Sequence, residues 1–570
     1  MSRKRVAIIG AGVCGLTSLK ACLEEGLEPV CFERHDDIGG VWYYTDDVRP
    51  EQGSSVYNSL ITNVSKESSC FSDFPYPRDY PAYMSCHLLH KYLHQYAETF
   101  GLSKYVRLNT KVVEVRKAED HVTTGRWIVS SVSMAAEGSP REEMYDALMV
   151  CSGPFSRSFT PNYPGLEQYT GLTMHSREYK SPDPFRGKRV LVIGAGNSAG
   201  DVAVDVSHVA SKLYLSMRDG TWIYPRLSHG GTPIDMQGSR GLLTYPLYLS
   251  MRDGTWIYPR LSHGGTPIDM LGSRGLLTYP AVINAHRRRQ TLAEHVNQRN
   301  YGLETAKDMY EHVMVNDELR YSLISGKVLL RPGVTKFTRT GALLADGTKL
   351  ENIDAVVFAT GYVEANVSYL DDSILAKDPT KLDLYKLVFP ANLPHPSMAV
   401  IGFFHVRGSI PPVAEVQARW AARVFSGRAK LPDRQTMLER VRRDREDRHR
   451  ILGKHMRSKL PKIGVIPYRD EIAREIGAMP SFWKLLLKDP RLAFRVYFQP
   501  PLPAHYRLVG PHQWPGAADY TKEAVGNTFY SLRHAGKDVT SPSKMAAVSS
   551  ISVLFVVVVV IVAVVIRVIM

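Results

Sequence analysis

Two stretches far apart in this chain repeat the same local grammar, and any fold must accommodate both. The apolar run Val6-Ala-Ile-Ile leads into Gly10-x-Gly12-x-x-Gly15, then a helix-forming stretch at 16–25, then a second apolar run that ends at Glu33. Residues 189–218 do the same: Arg189-Val-Leu-Val-Ile, Gly194-x-Gly196-x-x-Ala199, a helical stretch through about 210, and an apolar run that ends at Arg218. Each segment therefore reads as strand, glycine turn, helix, strand, the pattern of a βαβ unit with parallel strands. Apolar runs at 147–153 and 355–361 each end in a small-residue turn. Such strands fit a sheet that leaves for an inserted domain and then returns.

The expected fold class is α/β, with two Rossmann-like dinucleotide-binding domains, the second inserted in the first. The expected limits are 1–165 for the first part of one domain, 166–350 for the inserted domain and 351–450 for the return part. A helical C-terminal region at 451–545 and an apolar tail at 546–570 follow. Between 431 and 462 the chain is charge-rich, with Arg440, Arg442, Arg443 and Arg445 mixed among Glu439, Asp444 and Glu446, and reads as a solvated helix face.

The glycine turns carry the chemistry. Glycines between a strand and a helix let backbone N–H groups approach a pyrophosphate at the helix N-terminus, so Gly10, Ala11, Gly12, Val13, Cys14 and Gly15 are candidates to hold an adenine dinucleotide. Glu33, an acid at the end of the second strand, can accept hydrogen bonds from the ribose hydroxyls. In the second unit Gly194, Gly196 and Ala199 take the same places, but the strand ends in Arg218. An arginine there accommodates a 2′-phosphate, which favours NADPH over NADH, although the neighbouring Asp219 opposes it and a surface arginine is the competing account.

Two dinucleotide sites in one chain imply electron transfer from NADPH to a bound FAD. The six cysteines fall at 14, 22, 31, 70, 86 and 151, with no CxxC and no zinc-type spacing. A disulfide scaffold, a zinc site and a dithiol-using flavoprotein reductase are thereby disfavoured, and no metal ligands are expected. Reaction of the reduced flavin with oxygen remains. Lys and Arg number 71 against 56 Asp and Glu, but the basic residues are scattered, which points to an anionic cofactor and a membrane face rather than to nucleic acid.

Residues 546–566 contain only Ser549, Ser550 and Ser552 as polar residues and are apolar on every face. As a helix they would span about 32 Å, enough to cross a bilayer. The apolar run at 6–9 is too short for the core of a secretory signal, so a tail-anchored protein with a cytosolic body is expected. A second oddity lies within the inserted unit. Residues 213–246 and 247–280 are tandem copies that differ only in Gln237 against Leu271, and two near-identical copies read as a duplication rather than a solenoid.

Further segments carry a family resemblance. Tyr169-Thr-Gly171 through His175 and Tyr179 resembles the FxGxxxHxxx(Y/F) fingerprint of flavin-containing monooxygenases, with Tyr169 in place of the leading Phe. Gly39-Gly-Val-Trp42, Thr62-Asn63 through Glu67, Phe71 through Pro75, Phe358 through Tyr362, Gly408 through Pro411 and Gln417 through Trp420 are also similar to segments of that family. The hydrophobic tail matches its animal, membrane-anchored branch. The resemblance implies that Gly10 to Gly15, Glu33, Val41 and Trp42 hold FAD, and that Ser198, Ala199, Gly200, Asp201 and Arg218 contact NADPH. Thr62 and Asn63 match a segment beside the flavin, and Asn63 is the candidate catalytic residue, because an amide offers both a donor and an acceptor without titrating. His175 is read as structural.

The implied activity is NADPH- and O2-dependent oxygenation of soft nucleophiles, amine nitrogen or sulfide sulfur, through a flavin C4a-hydroperoxide, at the endoplasmic reticulum membrane. A homo-oligomer is compatible with it. Alternatives are an NADPH oxidase that releases H2O2, oxygen insertion beside a ketone, or an inactive tail-anchored interaction protein.

Overall fold

The computed structural model describes residues 3–46, 48, 53–135, 138–218, 221–222, 255–258, 313–364, 367–375, 382–452, 461–528 and 530–533. Two five-stranded parallel sheets organise them. In the first, strands run in the order Met398–Val400, Ala147–Val150, Arg5–Ile9, Glu28–Phe32, Val106–Arg107. In the second the order is Val328–Arg331, Lys212–Ser216, Arg189–Ile193, Ala355–Phe358, Leu172–His175. Central strands such as Arg5–Ile9 and Ala147–Val150 are buried on both faces, which is why they read as continuous apolar runs with no alternation.

The two sheets differ from expectation at one boundary. Ala355–Phe358 belongs to the second sheet, paired with Arg189–Ile193, and the strand that returns to the first sheet is Met398–Val400. The limit expected at residue 350 therefore lies beyond residue 358. Both apolar runs share one pattern, and only the pairing partner distinguishes them.

Each glycine turn is backed by the small-residue turn of a neighbouring strand. A Cβ on Gly10 would lie 2.8 Å from the carbonyl oxygen of Cys151, and one on Gly194 would lie 2.2 Å from that of Ala359. The chain leaves those turns as Phe155–Ser158 and Tyr362–Glu364, which pair antiparallel as a two-stranded link between the units.

Helix Pro411–Phe425 is buried along most of its length beside helix Val13–Glu24. The C-terminal region closes over this pair through Arg507, which is 1% exposed. Its guanidinium lies 3.0 Å from Glu24, 3.0 Å from Asp73 and 3.1 Å from Glu415, and donates to Ser72 Oγ at 2.7 Å. Helix Arg434–Leu452 covers most of the described charge-rich stretch; its Arg443–Glu439 pair is solvated, whereas Arg440 and Asp444 are half-buried and Arg440 also lies 3.2 Å from Glu471.

The tandem copies meet in a small sheet. Thr221–Trp222 from the first copy pairs in parallel with Thr255–Tyr258 from the second, Thr221 opposite Thr255 and Trp222 opposite Trp256, and the latter strand pairs with Val313–Val315. Corresponding residues of the two copies thus face each other in register. The remainder of both copies beyond Arg218, including Asp219, Gln237 and Leu271, lies outside the described residues, as does the apolar stretch at 546–566. Among the described residues no helix is long and apolar enough to cross a membrane.

Candidate active site

Helix Val13–Glu24 begins at Gly12 with no side chain capping it and no acidic residue in its first turn. Its first N–H groups are therefore available to an anion. The approach is kept narrow by glycine: Gly12 and Gly40 face each other, and a Cβ on either would reach the other's Cα at 3.3 and 3.0 Å. Gly15 lies against the turn itself, where a Cβ would come within 1.8 Å of the Gly10 carbonyl oxygen, so only glycine lets this helix sit on its strand.

Glu33 stands where the sequence places it, buried at the end of Glu28–Phe32. Its Oε2 accepts from Ala11 N–H at 2.8 Å, while Oε1 accepts from the backbone N–H of His35 at 3.0 Å and lies 2.8 Å from His35 Nδ1. Burial raises its pKa, but the His35 ring and the backbone N–H bonds outweigh that and hold it below the ordinary carboxylate value. A charged carboxylate has lone pairs left for ribose hydroxyls. Cys14, by contrast, is pushed up to about 12 by burial and is an unreactive thiol.

Gly39 N–H donates to Ala11 O at 3.0 Å, which ties the Gly40–Trp42 turn to the first glycine turn. Val41 is exposed and Trp42 packs partly on the core. An uncapped helix start, a slot between glycines and a fixed acidic acceptor fit the adenine dinucleotide expected here.

The second unit repeats the arrangement with differences. Helix Asn197–Ser207 opens at Gly196, again with no side-chain cap and no acid in its first turn. Ser198 is half-buried, while Ala199 and Gly200 are buried. Asp201, expected among the nucleotide contacts, has one carboxylate oxygen accepting from Tyr57 Oη at 2.5 Å and the other from Asn316 Nδ2 at 2.7 Å. Both oxygens are thus engaged by side chains from outside the helix. Arg218 is exposed at the end of Lys212–Ser216, its stem lying over Gly333, where a Cβ would meet its Cγ at 2.9 Å.

Thr62 is buried and bonded to Met84 in both directions: its N–H donates to Met84 O at 2.8 Å and its Oγ1 accepts from Met84 N–H at 3.0 Å. Its hydroxyl is thus engaged in structure. Asn63, the next residue, is half-buried. His175 ends its strand with Nδ1 accepting from Arg177 N–H at 3.1 Å, its ring edge-on to Tyr362 at 5.4 Å, and burial lowers its pKa. It is a neutral part of the link. Tyr169 makes use of its additional hydroxyl, which donates to Ile353 O at 2.8 Å.

Sequence reading missed Tyr57, Asn197 and Asn316. Asn197 Oδ1 accepts from Val315 N–H at 2.8 Å, and Asn316 Oδ1 accepts from Leu319 N–H at 2.7 Å. The spacing of Asn197 and Asp201, one helical turn apart at a helix start, could have flagged Asn197, whereas Tyr57 and Asn316 arrive from segments remote in the chain and give no local signal.

The model of a family described as flavin-binding monooxygenase-like matches residues 3–245 and 241–569, the break falling at the end of the first tandem copy. Dimethylaniline monooxygenase (N-oxide-forming) 4 of Oryctolagus cuniculus is 42% identical over 546 residues, covering 95% of this chain and 92% of its own length. Flavin-containing monooxygenase 2 of Homo sapiens is 40% identical over 520 residues, covering 90% of each. Among solved structures, S-allyl-L-cysteine S-oxygenase from Allium sativum superposes with a TM-score of 0.59 at 24% identity, over 93% of this chain and 99% of that one. An open cyclohexanone monooxygenase gives 0.58 at 19% identity, over 83% and 98%. These two likenesses establish a shared fold. With its two parallel sheets, each bearing a glycine turn, and a family match over nearly its whole length, this chain belongs to the flavin-binding monooxygenase-like family.

Proposed function

We propose that this protein uses FAD and NADPH to transfer one atom of O2 to a soft nucleophile, an amine nitrogen or a sulfide sulfur. The observation that carries the reading is the pair of uncapped helix N-termini, at Gly12 and Gly196, in a chain whose six cysteines are all free and none of which forms a CxxC. Bound FAD supplies the activation of O2. Gly10 to Gly15 seat its pyrophosphate, Glu33 its ribose, and Val41 and Trp42 border the same turn. Gly194, Gly196, Ser198, Ala199 and Gly200 receive the nicotinamide nucleotide, and Arg218 its 2′-phosphate. Asn63 orients oxygen through its amide, and Asp201 holds the second helix in place for the nucleotide. The rabbit relative's name, an N-oxide-forming monooxygenase, supports nitrogen as the acceptor.

The stretch at 546–566 anchors the protein in the endoplasmic reticulum membrane with the body facing the cytosol. Its length and its lack of a polar face support that assignment. Truncation after residue 545 moves the protein into the soluble fraction; a truncated protein still resisting salt extraction would place the anchor elsewhere.

The deciding experiment is stoichiometric. Anaerobic NADPH bleaches the flavin, and after oxygen is admitted with a tertiary amine or a sulfide, one N-oxide or S-oxide forms per NADPH consumed. H2O2 equal to NADPH with both substrates, or product from a ketone alone, overturns the assignment.

A further inference from the structure

Asp37, His90 and His94 converge beside the first glycine turn. His90 and His94 lie four residues apart on helix Cys86–Thr99, so their rings leave the same face, and Asp37 sits in the loop after strand Glu28–Phe32. Asp37 Oδ2 is 3.4 Å from His90 Nε2 and 3.1 Å from His94 Nε2, and these three atoms lie within 4.8 Å of one another. Ligand atoms held at about 2.0–2.1 Å around a tetrahedral ion stand about 3.3 Å apart. The two Asp–His separations already have that value. All three side chains are half-buried, which leaves an entry path from solvent.

We propose that Asp37, His90 and His94 form a site for a divalent transition metal of the Zn2+ kind, with water completing the coordination. Two imidazoles with one carboxylate suit such an ion far better than Ca2+ or Mg2+, which prefer oxygen ligands. Cysteine spacing predicts no zinc site and no metal ligands; this imidazole and carboxylate trio departs from that expectation because its members come together only through packing of the loop after Glu28–Phe32 on helix Cys86–Thr99. Asp37 Oδ1 already accepts from Ile38 N–H at 2.8 Å, which fixes the carboxylate with Oδ2 towards the rings. His90 Nε2 lies 3.0 Å from Ile38 O, and because a carbonyl only accepts, that nitrogen carries the proton in the metal-free chain. Ligation shifts the proton to Nδ1, with no net release, and exchanges the bond to Ile38 for a bond to the metal.

The site adjoins the nucleotide turn. Gly39, two residues beyond Asp37, donates to Ala11 O, and Gly40 faces Gly12. An ion on Asp37 therefore fixes the loop that borders the FAD turn and slows FAD release. This second statement rests on the FAD assignment, whereas metal binding does not.

Calorimetric titration of the full-length, tag-free protein with ZnCl2 tests the first statement. The wild type binds one Zn2+ that the His90→Ala/His94→Ala variant lacks, and Asp37→Asn weakens that binding by at least about tenfold. Circular dichroism without metal confirms that the variants are folded. Equal Zn2+ number and affinity in wild type and double variant overturns the site. FAD release, followed by flavin fluorescence, slows severalfold with Zn2+ in the wild type and is unaltered in the double variant. Zn2+ binding with unaltered release in both overturns the coupling. A protein that carries no flavin contradicts the FAD assignment, and the calorimetry still decides the metal site.

Discussion

The Tyr57 hydroxyl donates to Asp201 Oδ2 at 2.5 Å, and this contact joins the segment leading to Asn63 to the helix that opens at Gly196. Ser59 Oγ and Tyr179 Oη add bonds to Asp205 on the same helix, at 2.8 and 2.5 Å. Tyr57 and Leu60 consequently pack in the core of the second unit, although they lie in sequence within the first. The candidate catalytic residue is thus carried on a strap that both nucleotide units hold.

Tyr57→Phe removes a hydrogen bond to a carboxylate, an interaction worth about 1.5–3 kcal/mol. The KM for NADPH is expected to rise roughly tenfold while FAD content stays at the wild-type level. An unaltered KM accompanied by flavin loss would show that the contact serves the first unit instead.

Arg218 is exposed and ends the strand beside the second glycine turn. Arg218→Ala should raise the KM for NADPH by about tenfold and leave that for NADH nearly as it was, because only the 2′-phosphate contact is removed. Steady-state rates with both nucleotides decide this, and an equal loss with both would exclude recognition of the phosphate.

If the Asn63 amide orients oxygen as proposed, Asn63→Ala should retain FAD but divert electrons from product to H2O2. The ratio of product to NADPH consumed is the readout. A ratio equal to that of the wild type removes Asn63 from the mechanism.

The buried cluster around Arg507 makes stability depend on acid. Burial pushes the Glu24 carboxyl up, but Arg507 and Lys20 outweigh it and hold its pKa at about 2. With the folded value below the unfolded one, Glu24 contributes fully above about pH 4.3, and the contribution fades as pH falls towards about 2. The thermal midpoint should therefore drop less steeply through this window in Glu24→Gln than in the wild type. Arg507→Ala leaves buried Glu415 without its ion-pair partner and Glu24 and Asp73 with Lys20 alone, and should cost about 3–5 kcal/mol at neutral pH, measurable by denaturant unfolding.

Removal of residues 247–280 leaves one Thr-Trp strand to pair with Val313–Val315 in place of two stacked copies. The shortened protein is expected to keep FAD and to gain in thermal midpoint and NADPH-dependent rate. A folded product in which NADPH no longer reduces FAD would give the second copy a function.

Local pattern determined much of this protein. Arg5–Ile9 and Arg189–Ile193 had to be buried strands because four consecutive apolar residues after the arginine leave no exposed face, and Gly15 had to be glycine because a Cβ there would collide with the Gly10 carbonyl. Glu33 was legible for the same reason: it follows its strand at a distance set by the βαβ unit. Tertiary structure decided what depends on partners remote in the chain. Ala147–Val150 and Ala355–Phe358 carry the same signal, and only hydrogen-bond pairing assigned each to its sheet. The same holds for the bonds that Asp201 accepts from Tyr57 and Asn316, and for the meeting of Asp37 with His90 and His94. A side chain's type is written in the sequence; which groups desolvate it, neutralise it or claim its lone pairs is settled only when distant segments pack together.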